Sequence, residues 1–174
     1  MVWLGRKGDQ FFAMKQFPRS GNRVDPSAYV EIQIHELMTA NSNKQERESI
    51  CMMMDHVQDK KDIWLIYELC KGQTMNEHLF DVRGEFYKGE RIYMVHHSKF
   101  YEHLRTNLFL LWDFIYRMCK ALSLFSRLGI VHGDLKPDNI IVDYDEETQT
   151  IKTLKVIDLG SSFLLNPDGQ IIKN

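Results

Sequence analysis

Between Val131 and Val142 the chain reads VHGDLKPDNIIV, with two carboxylates, a lysine and an asparagine inside six positions and apolar runs on either side. These residue types at this spacing suit phosphoryl transfer. That reaction needs a group to orient or deprotonate the attacking hydroxyl, a cation for the charge developing on the phosphoryl oxygens, and ligands for a metal ion. Asp134 could be the first and Lys136 the second. A hard ion such as Mg²⁺ takes oxygen ligands and usually only one or two of them from protein. Asn139 offers one, and Asp158 offers another, at the end of an apolar strand in VIDLGSS and followed by a glycine. Any one of these residues alone reads as an ordinary turn former. Their combination, followed by a strand and a second acid at a strand end, does not.

The surrounding elements must hold this loop in place. VWLG and FFAMKQF read as paired strands about the turn RKGDQ. A helix then starts at Asp25 as N-cap with Pro26 in its first position. Asn41 to Glu48 is a polar loop, and ICMMMDHV and DIWLIYEL form another strand pair. Beyond Gly72 the chain turns helical. Leu108, Leu111, Trp112, Ile115, Met118, Cys119, Leu122 and Phe125 recur at helical spacing, and Gly129 stands where that helix would stop. Phe109, Phe114 and Leu124 occupy its other sides, so burial nearly all round is expected. A short strand at Ile140 to Tyr144, the turn DEETQT and the strand LKVID follow the loop. Phe80 to His103 has weak periodicity and reads as an insertion.

Composition excludes several classes. The chain has 174 residues, 44% hydrophobic and 26% charged, enough for one domain burying roughly 70% of its unfolded surface. A net charge of −2 argues against nucleic acid or an anionic membrane as partner. Cys51, Cys70 and Cys119 are an odd set with no close pair in sequence, which suits a reducing compartment, cytoplasmic or nuclear. LFLLWDFIY is too short to span a bilayer and contains Asp113.

His132-Gly133-Asp134-Leu135-Lys136-Pro137-Asp138-Asn139 resembles the catalytic loop of eukaryotic protein kinases, and Asp158-Leu159-Gly160 resembles their metal-binding triplet. Ala13-Met14-Lys15 is similar to their phosphate-gripping lysine strand. The resemblance covers nearly the whole chain apart from 80–103. It implies an α+β, two-lobed kinase fold, with an N-lobe over 1–69, a hinge at 70–73 and a partial C-lobe over 74–174, and with ATP in the cleft between. It further implies a serine/threonine protein kinase, because Lys136 follows Asp-Leu. Asp134 would be the base and Lys136 would stabilise the γ-phosphoryl group. Asn139 and Asp158 would hold Mg²⁺, and Lys15 would pair with Glu31 in preference to Glu36. Backbone groups of Glu68 and Cys70 would meet adenine, with Val2, Ala13 and Ile141 sandwiching it.

Departures accompany the matches. Gly133 replaces the arginine that many kinases use to bind a phosphorylated activation loop, Leu159 replaces phenylalanine, and His35 stands where an aliphatic residue is expected. The chain starts without a glycine-rich loop and stops sixteen residues after Asp158, so a kinase core lacking both ends is expected, marginally stable and silent on protein substrates. A pseudokinase that binds nucleotide or partners is the alternative, although it would commonly have lost one of Lys15, Asp134, Asn139 and Asp158. Small-molecule kinases of related fold also carry His-Gly-Asp, but Lys136 and Pro137 favour protein substrates. Gly5 and Gly8 read as a hairpin turn, Met52 to Met54 as strand core, Cys70 as packing, and His96, His97 and His103 as surface residues.

Overall fold

The computed structural model describes residues 1–18, 25–59 and 61–172, with only the backbone at 81 and 83. Strand β1 (Val2–Lys7) pairs antiparallel with β2 (Gln10–Pro18), Val2 opposite Lys15. The turn between them is shorter than RKGDQ. Gly8 occupies it at φ +62, whereas Gly5 lies inside β1 opposite Phe12 and packs against the Met14 side chain.

Helix α1 (Pro26–Asn41) starts where Asp25 accepts a hydrogen bond from the Ser27 amide at 2.9 Å. Its buried face is Ala28, Glu31, Ile34, His35 and Met38. A carboxylate and an imidazole on that face must find polar partners, since burying either alone is costly. Strands β3 (Met53–Gln58) and β4 (Asp62–Glu68) complete a sheet of order β1-β2-β4-β3. Along β4 the side chains of Ile63, Leu65 and Tyr67 turn inward in strict alternation, the two-residue period of a half-buried strand. They pack with Phe17, Ala28 and Cys51 between sheet and helix. As the edge strand, β3 is mostly exposed. Met54 lies in solvent, while Met52 and Met53 are half-buried and pack against the core, so only part of the methionine run is core.

The chain then forms β5 (Gln73–Thr74) and the short α2 (Met75–Leu79), whose Thr74 and Glu77 cap each other reciprocally. The stretch 80–103 holds two different things. Strands β6 (Phe80–Tyr87) and β7 (Glu90–His97) make an isolated hairpin whose β7 side chains, His96 and His97 included, are all exposed. Residues 99–103 instead open helix α3 (Lys99–Thr106), which buries Phe100 and Leu104 against Leu110, Ile140, Val142 and Leu154. His103 is half-buried against the Tyr144 hydroxyl.

Helix α4 (Leu108–Arg127) starts at Asn107, whose side chain accepts from the amides of Phe109 and Leu110, and stops before Gly129 at φ +67. It is not buried all round. Leu110, Ala121, Leu124 and Phe125 enter the core, while Leu108, Phe109, Trp112, Ile115, Tyr116 and Leu122 are exposed. The helix packs on α3, β8 (Ile130–Val131) and β10 (Thr150–Val156), all on one side, and no described residue covers the other.

Strand β9 (Ile140–Asp145) joins β10 and β5 in a second sheet, and β11 (Phe163–Leu164) pairs with β8. β10 ends at Val156, short of the expected LKVID, which leaves Ile157 and Asp158 outside the ladder. The two parts of the molecule meet through one core in which Ile34 and Met38 of α1 contact Ile50, Leu124, Phe125, Val156 and Leu159. A backbone clip reinforces it: Cys51 N–H donates to Val156 at 2.9 Å, and Val156 N–H donates to Ser49 at 2.8 Å. Among the described residues no helix is long and apolar enough to cross a membrane.

Candidate active site

A cleft of ≈ 220 Å³, open to solvent, lies between the first sheet and β9. Val2 and Ala13 line it from the first sheet, Ile141 from β9, and Glu68, Leu69 and Cys70 along the connection. Lys15, Glu31, Asn139 and Asp158 point polar groups into it. Asp134 and Lys136 lie outside its lining.

The inner end is a chain of charged hydrogen bonds. Lys15 Nζ donates to Glu31 Oε2 at 2.7 Å and to Asp158 Oδ1 at 2.7 Å. Burial works against the Lys15 ammonium, but Glu31 and Asp158 outweigh it and hold its pKa above the ordinary value. Burial likewise raises Asp158, yet the bond and charge of Lys15 prevail and its pKa is lowered. The other oxygen of Glu31 is taken as well, because the Tyr67 hydroxyl donates to Oε1 at 2.6 Å. Burial and then the Glu31 carboxylate raise the pKa of Tyr67. His35 packs edge-on against the Tyr67 ring and accepts the Met53 amide at 3.3 Å. Burial, with the charge of Lys15, lowers its pKa to about 4, so it is neutral. Glu36, five residues beyond Glu31 on α1, is exposed.

Asp158 itself is held at φ +62, a left-handed conformation that Asp and Asn adopt more readily than most residues. Leu159, next to it, is fully buried in the core between the two parts. An apolar anchor thus fixes the carboxylate before it.

The outer end is the loop 132–139. Asn139 Nδ2 donates to the Asp134 carbonyl at 2.8 Å and to its Oδ2 at 3.2 Å, and Lys136 Nζ donates to the same Oδ2 at 2.7 Å. The Lys136 hydrogen bond keeps the Asp134 carboxyl below its ordinary range. Buried His132 staples the loop: Asp134 N–H donates to Nδ1, which leaves Nε2 to donate to the Ile157 carbonyl at 3.1 Å. Gly133 has φ +78, and a Cβ there would lie 2.2 Å from the Ser161 carbonyl oxygen. In this conformation an arginine cannot replace it.

Asn139 and Asp158 both line the cleft, and an amide oxygen with a carboxylate is a donor set that suits a hard divalent ion. Sequence reasoning missed Tyr67 as the second partner of Glu31, and His132 as the loop's staple. The alternation of Ile63, Leu65 and Tyr67 carried the signal for the first, because it turns the tyrosine towards α1. A histidine between apolar residues carries none for the second.

The family model for the protein kinase domain matches residues 2–173. The chain belongs to the protein kinase domain family. Similar proteins include sperm motility kinase 3A of Mus musculus, 31% identical over 127 residues (68% of this chain, 20% of that protein). Aurora kinase of Saccharomyces cerevisiae is 26% identical over 137 residues (78% of this chain, 32% of that protein). A calcium/calmodulin-dependent serine/threonine-protein kinase of Oryza sativa is 25% identical over 142 residues (81% and 19%). The chain spans about a fifth of the length of the first of these. The fold is thus the α+β kinase fold with a β-rich N-lobe, and its relatives include serine/threonine kinases.

Proposed function

We propose that the chain is the nucleotide-binding core of an ATP-dependent serine/threonine protein kinase, acting in the cytoplasm or nucleus. The observation that carries this is Lys15, bridging Glu31 and Asp158 inside the cleft. In phosphoryl transfer a lysine so placed meets the α- and β-phosphates, and the carboxylate behind it fixes its position. Adenine would lie between Val2 and Ala13 on one face and Ile141 on the other, its edge on backbone groups of Glu68 and Cys70. Mg²⁺, held by Asn139 and Asp158, would supply charge neutralisation to the phosphates when bound.

Asp134 orients the substrate hydroxyl and accepts its proton as the oxygen attacks phosphorus. Asp134 carries its charge at neutral pH, as a carboxylate of lowered pKa does. Lys136, now paired with Asp134, turns to the γ-phosphoryl oxygens as charge develops there. Asn139 and His132 hold the Asp134 backbone, so that the carboxylate is positioned before substrate arrives.

ATP titrations with and without Mg²⁺, for the natural chain and Asp158→Ala, test the reading. Tight binding is expected only for the natural chain with the ion. Equal affinity in all four titrations would remove Asp158 and the metal from the site.

A further inference from the structure

Cys51 stands just before β3 and Cys70 just after β4, and the antiparallel pairing of those strands brings their ends together. The two Sγ atoms and a carboxylate oxygen of Glu68 all lie within 4.8 Å of one another. All three residues line the cleft. We infer that Cys51, Cys70 and Glu68 form a binding site for a thiophilic dication of the zinc class, separate from the oxygen ligands Asn139 and Asp158.

The chemistry of the donors selects the ion. Two sulfurs and one carboxylate suit zinc, cobalt or cadmium, whereas magnesium and calcium require oxygen. A tetrahedral zinc centre with Zn–S near 2.3 Å places its sulfurs about 3.8 Å apart. The thiols therefore draw in by about 1 Å at most from the 4.8 Å limit, within the reach of cysteine rotamers. Both already converge on one point, with Cys51 Sγ 3.7 Å and Cys70 Sγ 4.0 Å from the Glu68 carbonyl oxygen. Three protein donors leave the fourth position open to the cleft.

The surroundings prepare the site. Glu68 Oε1 accepts from Lys155 Nζ at 2.8 Å and from the Met52 amide at 3.1 Å. Those bonds orient the carboxylate, as outer partners of metal ligands do, and leave Oε2 to the ion. Two thiolates, one carboxylate, the Lys155 ammonium and a dication together carry no net charge. The same sulfurs could close a disulfide under a two-electron oxidant. The convergent carboxylate and its ammonium counter-charge favour the metal.

The test uses cobalt, whose thiolate charge-transfer and ligand-field bands report tetrahedral sulfur ligation without reference to nucleotide or activity. The reduced, metal-free chain is titrated with Co²⁺ and then with Zn²⁺. The expected result is one cobalt per chain, displaced by zinc, with a raised melting temperature. Cys70→Ser, at a half-buried position, should fold and lose about 100-fold in affinity together with about half of the charge-transfer intensity at saturation, and Glu68→Gln should lose about 10-fold. Cys119→Ser should bind like the natural chain. No cobalt uptake, a band of undiminished intensity in Cys70→Ser, or one that weakens in Cys119→Ser would overturn the inference. So would mild oxidation that leaves one reactive thiol in a chain that takes up no cobalt, which would assign the pair to a disulfide.

Discussion

The two ends of the site are built differently. At the inner end the Glu31 side chain is 1% exposed and both its oxygens are engaged, one by Lys15 and one by Tyr67. At the outer end the Asp134 side chain is 40% exposed and the Lys136 side chain 49% exposed, and they hold each other. Buried charges demand complete pairing, because an unpaired partner is left in a medium that cannot solvate it. An exposed pair contributes little to stability and opens readily. Under the proposed function, the fixed electrostatics lie where a nucleotide's phosphates would sit, and the exchangeable charges where a substrate would enter.

The largest effect that would sharpen this contrast is at the exposed end. Asp134→Asn should lower phosphoryl transfer to a serine-containing protein by about 10³-fold, within the range for a general base, while nucleotide affinity and melting temperature stay unchanged. Turnover near that of the natural protein would remove Asp134 as proton acceptor, and phosphate on tyrosine alone would remove the serine/threonine assignment.

Next is the buried end, read through pH. The pKa of His35 is lowered from 6.5 to about 4 by burial and by Lys15. The unfolded chain takes up that proton before the folded one, so the stability that neutral His35 contributes is present above pH 6.5. It is lost as pH falls towards 4, by roughly 3 kcal/mol in all. His35→Leu should flatten this part of the curve. Denaturation measured at several pH values checks it, and superimposable pH profiles for the two proteins would contradict a buried neutral imidazole.

The smallest effect belongs to the tyrosine. Tyr67→Phe removes the donor to Glu31 Oε1 and should cost about 2 kcal/mol. A double-mutant cycle with Glu31→Gln should show coupling of at least about 0.5 kcal/mol. Strict additivity would mean that the two groups act independently.

Much of this was legible in the sequence where a signal is local. The Asp25-Pro26 start of α1 and the glycine stop of α4 depend on backbone groups within one turn, and both ends stand where those residues put them. The faces of α4 were not legible. A helix apolar on every side carries no directional signal, and the stripe chosen from spacing holds Leu108, Trp112, Ile115 and Leu122, which lie in solvent. The hairpin of β6 and β7 was missed because it packs on little besides itself, so its alternation never had to match a core. At the site, residue types announced Asp134, Asn139 and Asp158. Tyr67 as a partner of Glu31, and Cys51 beside Cys70, needed strand register, which composition does not supply.

The contact between Gly133 and the Ser161 carbonyl has an evolutionary consequence. Two segments that are distant in sequence are coupled, since a side chain at 133 would be tolerated only after the backbone at 161 had moved away. Any substitution at 133 is thus conditional on a compensating change around 158–162.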